Sequence, residues 1–143
     1  MLIGKADHSI DAKGRYILPA KYRDDMGKDL VLAKGKDKCL YVYPVAQWQQ
    51  TVEEIRSSTD SSESSRRHLR NFFANAFDLR VDSQSRIVIP PELRQYASLD
   101  KDIVTVGMFS RLEIWDKQRW LEYFGESEAC FDDFAGDDEG AFF

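Results

Sequence analysis

The 143 residues of the chain are 43% hydrophobic and 13% aromatic, enough to fill the core of one ordinary domain or two very small ones. Because 31% of the residues are charged and no apolar run approaches the ~20 residues of a transmembrane helix, we expect no membrane span and no signal peptide. The net charge of −5 comes from residues 125–143, which hold seven acidic and no basic side chains. Residues 1–124 carry 20 basic and 18 acidic side chains, so binding to an anionic partner is not excluded.

The first predicted elements are a strand hairpin and a short helix. A polar turn at residues 11–14 follows a short apolar run and precedes residues 15–18, which supply β-branched and aromatic side chains. Pro19 suits the first position of a helix, and Gly27 tolerates the positive φ that often ends one. We therefore expect a helix between these two residues.

A second hairpin and an amphipathic helix follow. The apolar runs 30–33 and 40–43 flank a charged turn at residues 34–38, which predicts two antiparallel strands. The next apolar residues have the spacing of one helix face. They are Val45, Trp48, Val52 and Ile55.

A polar linker and a further helix come next. Residues 57–65 are all serine, threonine or acidic, which predicts a loop. Beyond it, a stripe of apolar residues has helical spacing, with three arginines mainly on the other side. The stripe is Leu69, Phe72, Phe73 and Ala76, and the arginines are Arg66, Arg67 and Arg70. The arginines form either the solvated face of a packed helix or a basic edge facing phosphates or an acidic neighbour.

The chain contains two copies of one unit. Residues 11–23 align with residues 82–94 at an offset of 71, and one inserted residue then makes the offset 72. The matched pairs are Asp11 with Asp82, Arg15 with Arg86, Pro19 with Pro90, Arg23 with Arg94, Gly35 with Gly107, Leu40 with Leu112, Val42 with Ile114 and Trp48 with Trp120. A duplication explains this register. The second copy thus predicts a hairpin from runs 103–106 and 112–115, and a closing helix with Asp116 as its N-cap.

One copy is too small to hold a core of its own. Each unit has roughly 45 residues, near the lower limit for an independent domain. We therefore expect the two copies to pack on each other as one pseudo-twofold body, with related loops exposed as a pair on one side. The predicted class is mainly β with short helices, an α+β fold.

Known catalytic and metal-binding signatures are missing from the sequence. His8 and His68 have no metal-ligand spacing around them, and Cys39 and Cys130 belong to no Cys-x-x-Cys pair. Nucleophile-elbow, Walker and dinucleotide glycine motifs are also missing. We therefore expect no enzyme, no metal and no cofactor, and a reducing, cytoplasmic compartment.

The repeated Asp-x-x-x-Arg pattern is the strongest candidate for a functional element. A single copy has a structural explanation, because Asp favours turns and can pair with an Arg four residues on. The duplication keeps both charged residues while the residues between them differ, Ala-Lys-Gly after Asp11 and Ser-Gln-Ser after Asp82. Each Asp could therefore fix its Arg, Arg15 or Arg86, for bidentate contact with guanine or phosphate, and Lys13 could add a phosphate contact.

These residues resemble the MraZ family of bacterial transcriptional regulators, which have tandem AbrB/SpoVT-like half-domains. The resemblance covers about residues 1–124 and includes the segment Leu112-Glu113-Ile114-Trp115. It implies a swapped-hairpin, β-barrel-like fold and a homo-oligomer of ring shape. It also implies binding to double-stranded DNA at direct repeats in the promoter of the division and cell-wall gene cluster, including the protein's own gene, and a cytoplasmic, nucleoid-associated location.

The resemblance also implies which residues contact DNA. They are Asp11, Lys13, Gly14, Arg15, Asp82 and Arg86. The chain departs from the family in one place, because Ser85 stands where a Gly usually precedes the second Arg. Since Ser accepts positive φ less readily than Gly, the second loop is expected to turn differently or approach DNA less closely.

The predicted organisation has four parts and leaves two other functions open. They are a first AbrB-like domain at 5–50, a helix and Ser-rich linker at 51–75, a second AbrB-like domain at 76–122, and a disordered acidic tail at 125–143. The tail contains several phenylalanines and could dock on a neighbour or screen the DNA-binding face. The alternatives to a DNA-binding regulator are an antitoxin-like module that clamps a protein partner and a pure scaffold.

Overall fold

The computed structural model describes residues 1–125 and contains two antiparallel sheets with helices around them. The strands are β1 Lys5–Ser9, β2 Arg15–Ile17, β3 Asp29–Lys34, β4 Leu40–Pro44, β5 Phe77–Arg80, β6 Arg86–Val88, β7 Asp102–Gly107 and β8 Leu112–Asp116. The helices are α1 Arg23–Met26, α2 Val45–Ser58, α3 Glu63–Ala74 and α4 Pro91–Tyr96, with 3-10 turns at Ala20–Tyr22 and Lys36–Lys38. Residues 117–125 are helical as well. The predicted acidic tail falls outside the described residues from position 126 onward.

The larger sheet is open. Its six strands lie in the order β1-β7-β8-β4-β3-β5, so β1 and β5 form opposite edges, while β2 and β6 form a separate two-stranded ribbon. The expected combination of β-strands with short helices is confirmed. The expected barrel-like closure is wrong, because the edge strands of the large sheet do not meet.

The first predicted hairpin is also wrong in its pairing. The strands on either side of the turn at residues 11–14 exist, but β1 pairs with β7 and β2 pairs with β6. In the second copy, β5 likewise pairs with β3 rather than with β6. The turn sends each second strand out of the large sheet, where its partner is the corresponding strand of the other copy. Each copy therefore shares its sheets with the other.

The other predicted hairpins are confirmed. Strand β3 pairs with β4, with Leu32 opposite Val42, and β7 pairs with β8, with Thr105 opposite Ile114. These strands meet along the middle of the large sheet, where β4 pairs with β8. Their apolar side chains are the centre of the core.

The helix boundaries mostly follow the sequence signals. Pro19 precedes a 3-10 turn and α1, which ends at Gly27 with φ +70°, and the Asp116 carboxylate accepts a hydrogen bond of 3.2 Å from the backbone N–H of Arg119. The predicted loop at 57–65 is shorter, because α2 continues through Ser58 and Ser62 caps α3 by accepting from the Ser65 N–H at 3.1 Å. Among residues 1–125, no helix is both long and apolar enough to cross a bilayer.

The ribbon is fixed to the large sheet by its buried face. Tyr16 is fully buried and Ile87 is 5% exposed, and both belong to the main core. The hydroxyl groups of Tyr16 and Thr105 share a hydrogen bond of 2.7 Å, which satisfies both polar groups inside the protein. Burying a side chain of this size contributes about 1.5–3 kcal/mol, so separating the ribbon from the large sheet would destabilise the fold.

Candidate functional site

The β2–β6 ribbon presents one buried and one exposed face. Alternation along each three-residue strand turns Tyr16 and Ile87 inward, so the residues on either side of them face outward. In the register, Arg15 lies opposite Val88 and Ile17 lies opposite Arg86. We call these four outward residues, Arg15, Ile17, Arg86 and Val88, the ribbon face. Its two aliphatic side chains are unusually open, with Ile17 48% and Val88 54% exposed.

The first Asp-x-x-x-Arg loop is organised by the carboxylate of Asp11. Its Oδ1 accepts hydrogen bonds from the backbone N–H groups of Lys13 and Arg15, each at 3.0 Å. Its Oδ2 accepts from the Nε of Arg15. The Gly14 N–H closes the turn by donating to the Asp11 carbonyl at 3.0 Å. One side chain thus sets both the loop's backbone and the direction of the guanidinium.

The second loop repeats this arrangement around Asp82. Its Oδ1 accepts from the N–H groups of Gln84 at 2.8 Å and Arg86 at 2.9 Å, and its Oδ2 accepts from the Nε of Arg86 at 3.0 Å. The Ser85 N–H donates to the Asp82 carbonyl at 3.0 Å. The two loops therefore present their arginines in the same way, although the residues between Asp and Arg differ.

Both aspartates are stabilised in their charged form. The backbone N–H of Arg15, followed by its guanidinium, lowers the pKa of Asp11 below its usual value. The backbone N–H of Arg86 is likewise the main cause that lowers the pKa of Asp82, against a smaller opposing effect of desolvation. Each loop therefore holds an ionised carboxylate paired with an arginine at neutral pH.

The third residue after each Asp adopts the left-handed backbone conformation. Gly14 has φ +79° and Ser85 has φ +61°. A Cβ added at Gly14 would lie only 2.7 Å from the Ile89 carbonyl oxygen and 2.7 Å from the Arg94 Nε, so no larger residue fits there. Ser85 adopts the same conformation although it carries a side chain. The expectation that the second loop turns differently is therefore wrong.

Two further arginines bond to the backbone at the ends of the ribbon, and one of them also holds the first loop. The Arg94 guanidinium donates from Nε to the Ile89 carbonyl at 3.0 Å and from Nη1 to the Ala12 carbonyl of the first loop at 3.1 Å. Its counterpart Arg23 donates from Nε to the Leu18 carbonyl at 2.8 Å. Sequence reasoning assigned these two no role, although their recurrence at the same offset of 71 was visible.

Each loop also bonds to the strand end of the other copy. The Ile89 N–H donates to the Gly14 carbonyl at 2.8 Å, and the Leu18 N–H donates to the Ser85 carbonyl at 2.8 Å. The predicted loop residues are thereby brought to the two ends of one ribbon. Lys13 extends this surface as an exposed residue in the first loop.

The other candidate groups lie elsewhere. His8 shares a hydrogen bond of 2.7 Å between its Nε2 and the Thr105 hydroxyl, and burial lowers its pKa. Within residues 1–125, no three His, Cys, Asp or Glu side chains gather as a metal site. On α3, Arg67 forms a 3.0 Å ion pair with Glu63, which favours the solvated face over the basic edge.

A comparison with family models decides the relationship of the chain. The model described as "MraZ protein, putative antitoxin-like" matches twice, at residues 1–71 and at residues 72–139. The chain belongs to the MraZ family. The two matches follow the duplication, and each contains one Asp-x-x-x-Arg loop of the ribbon. The description of the MraZ family is that of an antitoxin-like protein and names no catalytic activity.

Proposed function

We propose that this chain is a sequence-specific DNA-binding transcriptional regulator whose ribbon face enters the major groove. The observation that carries the proposal is that Asp11 and Asp82 direct Arg15 and Arg86 outward at the two ends of one exposed ribbon. The major groove of B-DNA is wide enough for a two-stranded ribbon of this kind. The site residues proposed to contact DNA are Asp11, Lys13, Gly14, Arg15, Asp82 and Arg86.

The arginines are suited to reading guanine. In each loop the aspartate engages Nε, so the two terminal amino groups of the guanidinium form the end offered to the groove. That end matches the O6 and N7 acceptors of guanine in a bidentate contact. From strand geometry, the Cα atoms of Arg15 and Arg86 are separated by about 8 Å, roughly two base steps of about 3.4 Å.

The aliphatic residues of the ribbon face add a second kind of contact. Ile17 and Val88 occupy the other two corners of the ribbon face, each opposite one arginine, and have about half of their surface exposed, at 48% and 54%. In the major groove, thymine is distinguished by its methyl group, which apolar side chains contact. The ribbon face therefore fits a site that combines guanines with A·T pairs.

The modest charge of residues 1–124 makes DNA binding by a single subunit weak, so we include oligomerisation in the proposal. Neighbouring subunits of a ring-shaped homo-oligomer place equivalent ribbons on successive direct repeats of a promoter, and affinity comes from the combined contacts. Within each subunit, the exchanged strands make two AbrB-like units, 5–50 and 76–122, related by a pseudo-twofold axis. The proposed location is the cytoplasm, at the nucleoid.

The test is fluorescence anisotropy at ~0.15 M salt, with the ~200 bp upstream of the protein's gene and a shuffled fragment of equal length. We expect a clear preference for the native fragment, which the double variant Arg15→Ala/Arg86→Ala loses. Arg67→Ala/Arg70→Ala removes the same charge from exposed positions on α3 and serves as the matched control. Unchanged specific binding by the Arg15/Arg86 variant would refute the proposal.

A second candidate function is an antitoxin-like role, which the family description favours. In that case the DNA-binding ribbon regulates the protein's own gene while another surface holds a protein partner. Stable co-purification of one small protein with the full chain, unaffected by Arg15→Ala/Arg86→Ala, would support it. Equal binding to both DNA fragments with no such partner would instead support a scaffold.

A further inference from the structure

An apolar groove lies away from the ribbon, between the β3–β4 hairpin and helices α2 and α3. It has a volume of about 360 Å³. Its walls are aromatic and aliphatic, and include Tyr41, Tyr43, Tyr96, Leu69 and Phe72. We call it the tyrosine groove. Its walls combine the β3–β4 hairpin of the first copy, helices α2 and α3, and Tyr96 from α4 of the second copy.

The rim of the tyrosine groove is positively charged. Lys34 and Lys36 line it, and the described residues of its lining include no Asp or Glu. The Nζ atoms of Lys34 and Lys38 lie 4.9 and 4.8 Å from the centre of the Tyr96 ring. The Tyr96 hydroxyl is already used, because it donates to the Gly35 carbonyl at 2.7 Å. The groove thus combines an apolar interior with cations at its edge.

The tyrosines of the groove are neutral walls rather than acids or bases. Desolvation is the main cause that raises the pKa of Tyr43 to about 12 and also raises the pKa values of Tyr41 and Tyr96. All three therefore stay protonated at physiological pH. The ligand chemistry that fits is an apolar or aromatic side chain next to carboxylates.

The chain itself contains a segment of this chemistry. Residues 126–143 have seven carboxylates, no Lys or Arg, and four phenylalanines. The run Phe131-Asp132-Asp133-Phe134 places two acids between two aromatic rings. We propose that this segment docks in the tyrosine groove of its own chain, with Phe131 and Phe134 in the groove and the two aspartates facing Lys34 and Lys36.

The attachment point of the segment is close enough for this contact. Arg119, near the start of the helical residues 117–125, donates from its guanidinium to the carbonyls of Lys38 at 2.6 Å and Asp37 at 3.1 Å. The end of this helix lies beside the edge strand β1, where the Nζ of Lys5 is 5.7 Å from the centre of the Phe124 ring. Strand β1 is three strand spacings, about 14 Å, from β4, which carries Tyr41 and Tyr43. From residue 125, the six residues to Phe131 span up to about 20 Å when extended, which is sufficient to reach back to the rim.

The test is disulfide trapping in the full chain, using Cys130 next to Phe131 as the natural probe. Cys39 is 1% exposed, and burial raises its pKa, so it does not compete. The variant Asn71→Cys puts a partner thiol on the groove lining, and Gln84→Cys puts one on the exposed tip of the second ribbon loop. The two variants are oxidised under the same conditions, and the links are identified on non-reducing gels and by peptide mapping.

We expect an intrachain link to form about tenfold faster with Asn71→Cys than with Gln84→Cys, because docking raises the effective concentration of the thiols. Adding Phe131→Ser/Phe134→Ser, or Lys34→Glu/Lys36→Glu, should remove this preference. Equal rates, or a faster link to Gln84→Cys, would overturn the proposal, the latter in favour of a segment that screens the ribbon. Links mainly between chains would also overturn the proposal and would show that the groove binds the C-terminal segment of a second subunit.

Discussion

The two loops of the ribbon reach the same geometry by different means. In both, an aspartate carboxylate accepts two backbone N–H groups and the arginine Nε. In the first, Gly14 is required because the neighbouring backbone leaves no space for a Cβ. In the second, Ser85 takes the same left-handed conformation at some cost in strain. The comparison shows that the Asp and Arg pair determines the shape of the loop, while the space around the third position decides whether glycine is required there.

The largest effect is expected at the third position after the Asp, where the first loop has Gly14 and the second has Ser85. Gly14→Ala should lower the free energy of unfolding by about 3 kcal/mol, because it adds left-handed strain to a Cβ that meets the Ile89 carbonyl and Arg94. Urea unfolding followed by tryptophan fluorescence measures this. Ser85→Ala is the matched control in the other loop, and it should change stability by less than about 1 kcal/mol. Equal losses in the two variants would remove the distinction between the loops.

The next effect tests whether the loops are equal in function. If each arginine reads a base, Arg15→Ala and Arg86→Ala should each weaken binding to the native promoter fragment by about 1–3 kcal/mol. Because their hydrogen bonds to Asp are alike, we expect the two losses to differ by less than about 1 kcal/mol. Anisotropy titrations of both single variants decide this. A loss confined to Arg15→Ala would mean that the loops are alike in structure but not in use.

A smaller gain is expected from making the second loop like the first. Ser85→Gly should raise the free energy of unfolding by roughly 0.5–1 kcal/mol, because relief of the left-handed strain exceeds the entropy lost by glycine. Thermal and urea unfolding give the value, and Ser83→Gly in the same loop is the control. Destabilisation by Ser85→Gly would show that the serine side chain itself stabilises the loop.

The smallest effect concerns the aspartates. Because their pKa values are lowered in the folded protein, their contribution to stability is complete above the usual carboxyl pKa and is lost as pH falls through the lowered values. Arg15→Ala should raise the pKa of Asp11 and leave that of Asp82 in place. Carbon-13 NMR titration of the side-chain carboxyls separates the two. A shift of both carboxyls together would indicate that the loops are coupled through the ribbon.

The sequence was sufficient for the parts of the fold that depend on local pattern. The duplication, the hairpins β3–β4 and β7–β8, and the Asp116 cap are all carried by nearby residues, and each was predicted. The pairing of β1 and β2 was not, because a polar turn indicates that the chain reverses without specifying which strand becomes the partner. Barrel-like closure was expected from the family resemblance, and the local pattern could not correct it, since edge strands carry no local mark of being unpaired.

The candidate site was predictable in its charged residues and not in its supports. Asp11, Arg15 and their counterparts stood out because the repeat preserves them while the turn between them changes. The contacts of Arg23 and Arg94 are to backbone carbonyls, which any residue supplies, so no spacing rule reveals them. The left-handed backbone of Ser85 was equally hidden, because its sequence alone favours the opposite expectation.

The pairing of β1 with β7 has a consequence for biosynthesis. Residues 5–9 find their partner only in residues 102–107, so the first strand leaves the ribosome nearly a hundred residues before the strand it pairs with. At about 5–20 residues per second, it remains unpaired for roughly 5–20 seconds. During that interval the nascent chain exposes a free strand edge and apolar side chains that later become buried. The order in which this chain's strands are made therefore leaves its first strand unpaired for most of translation.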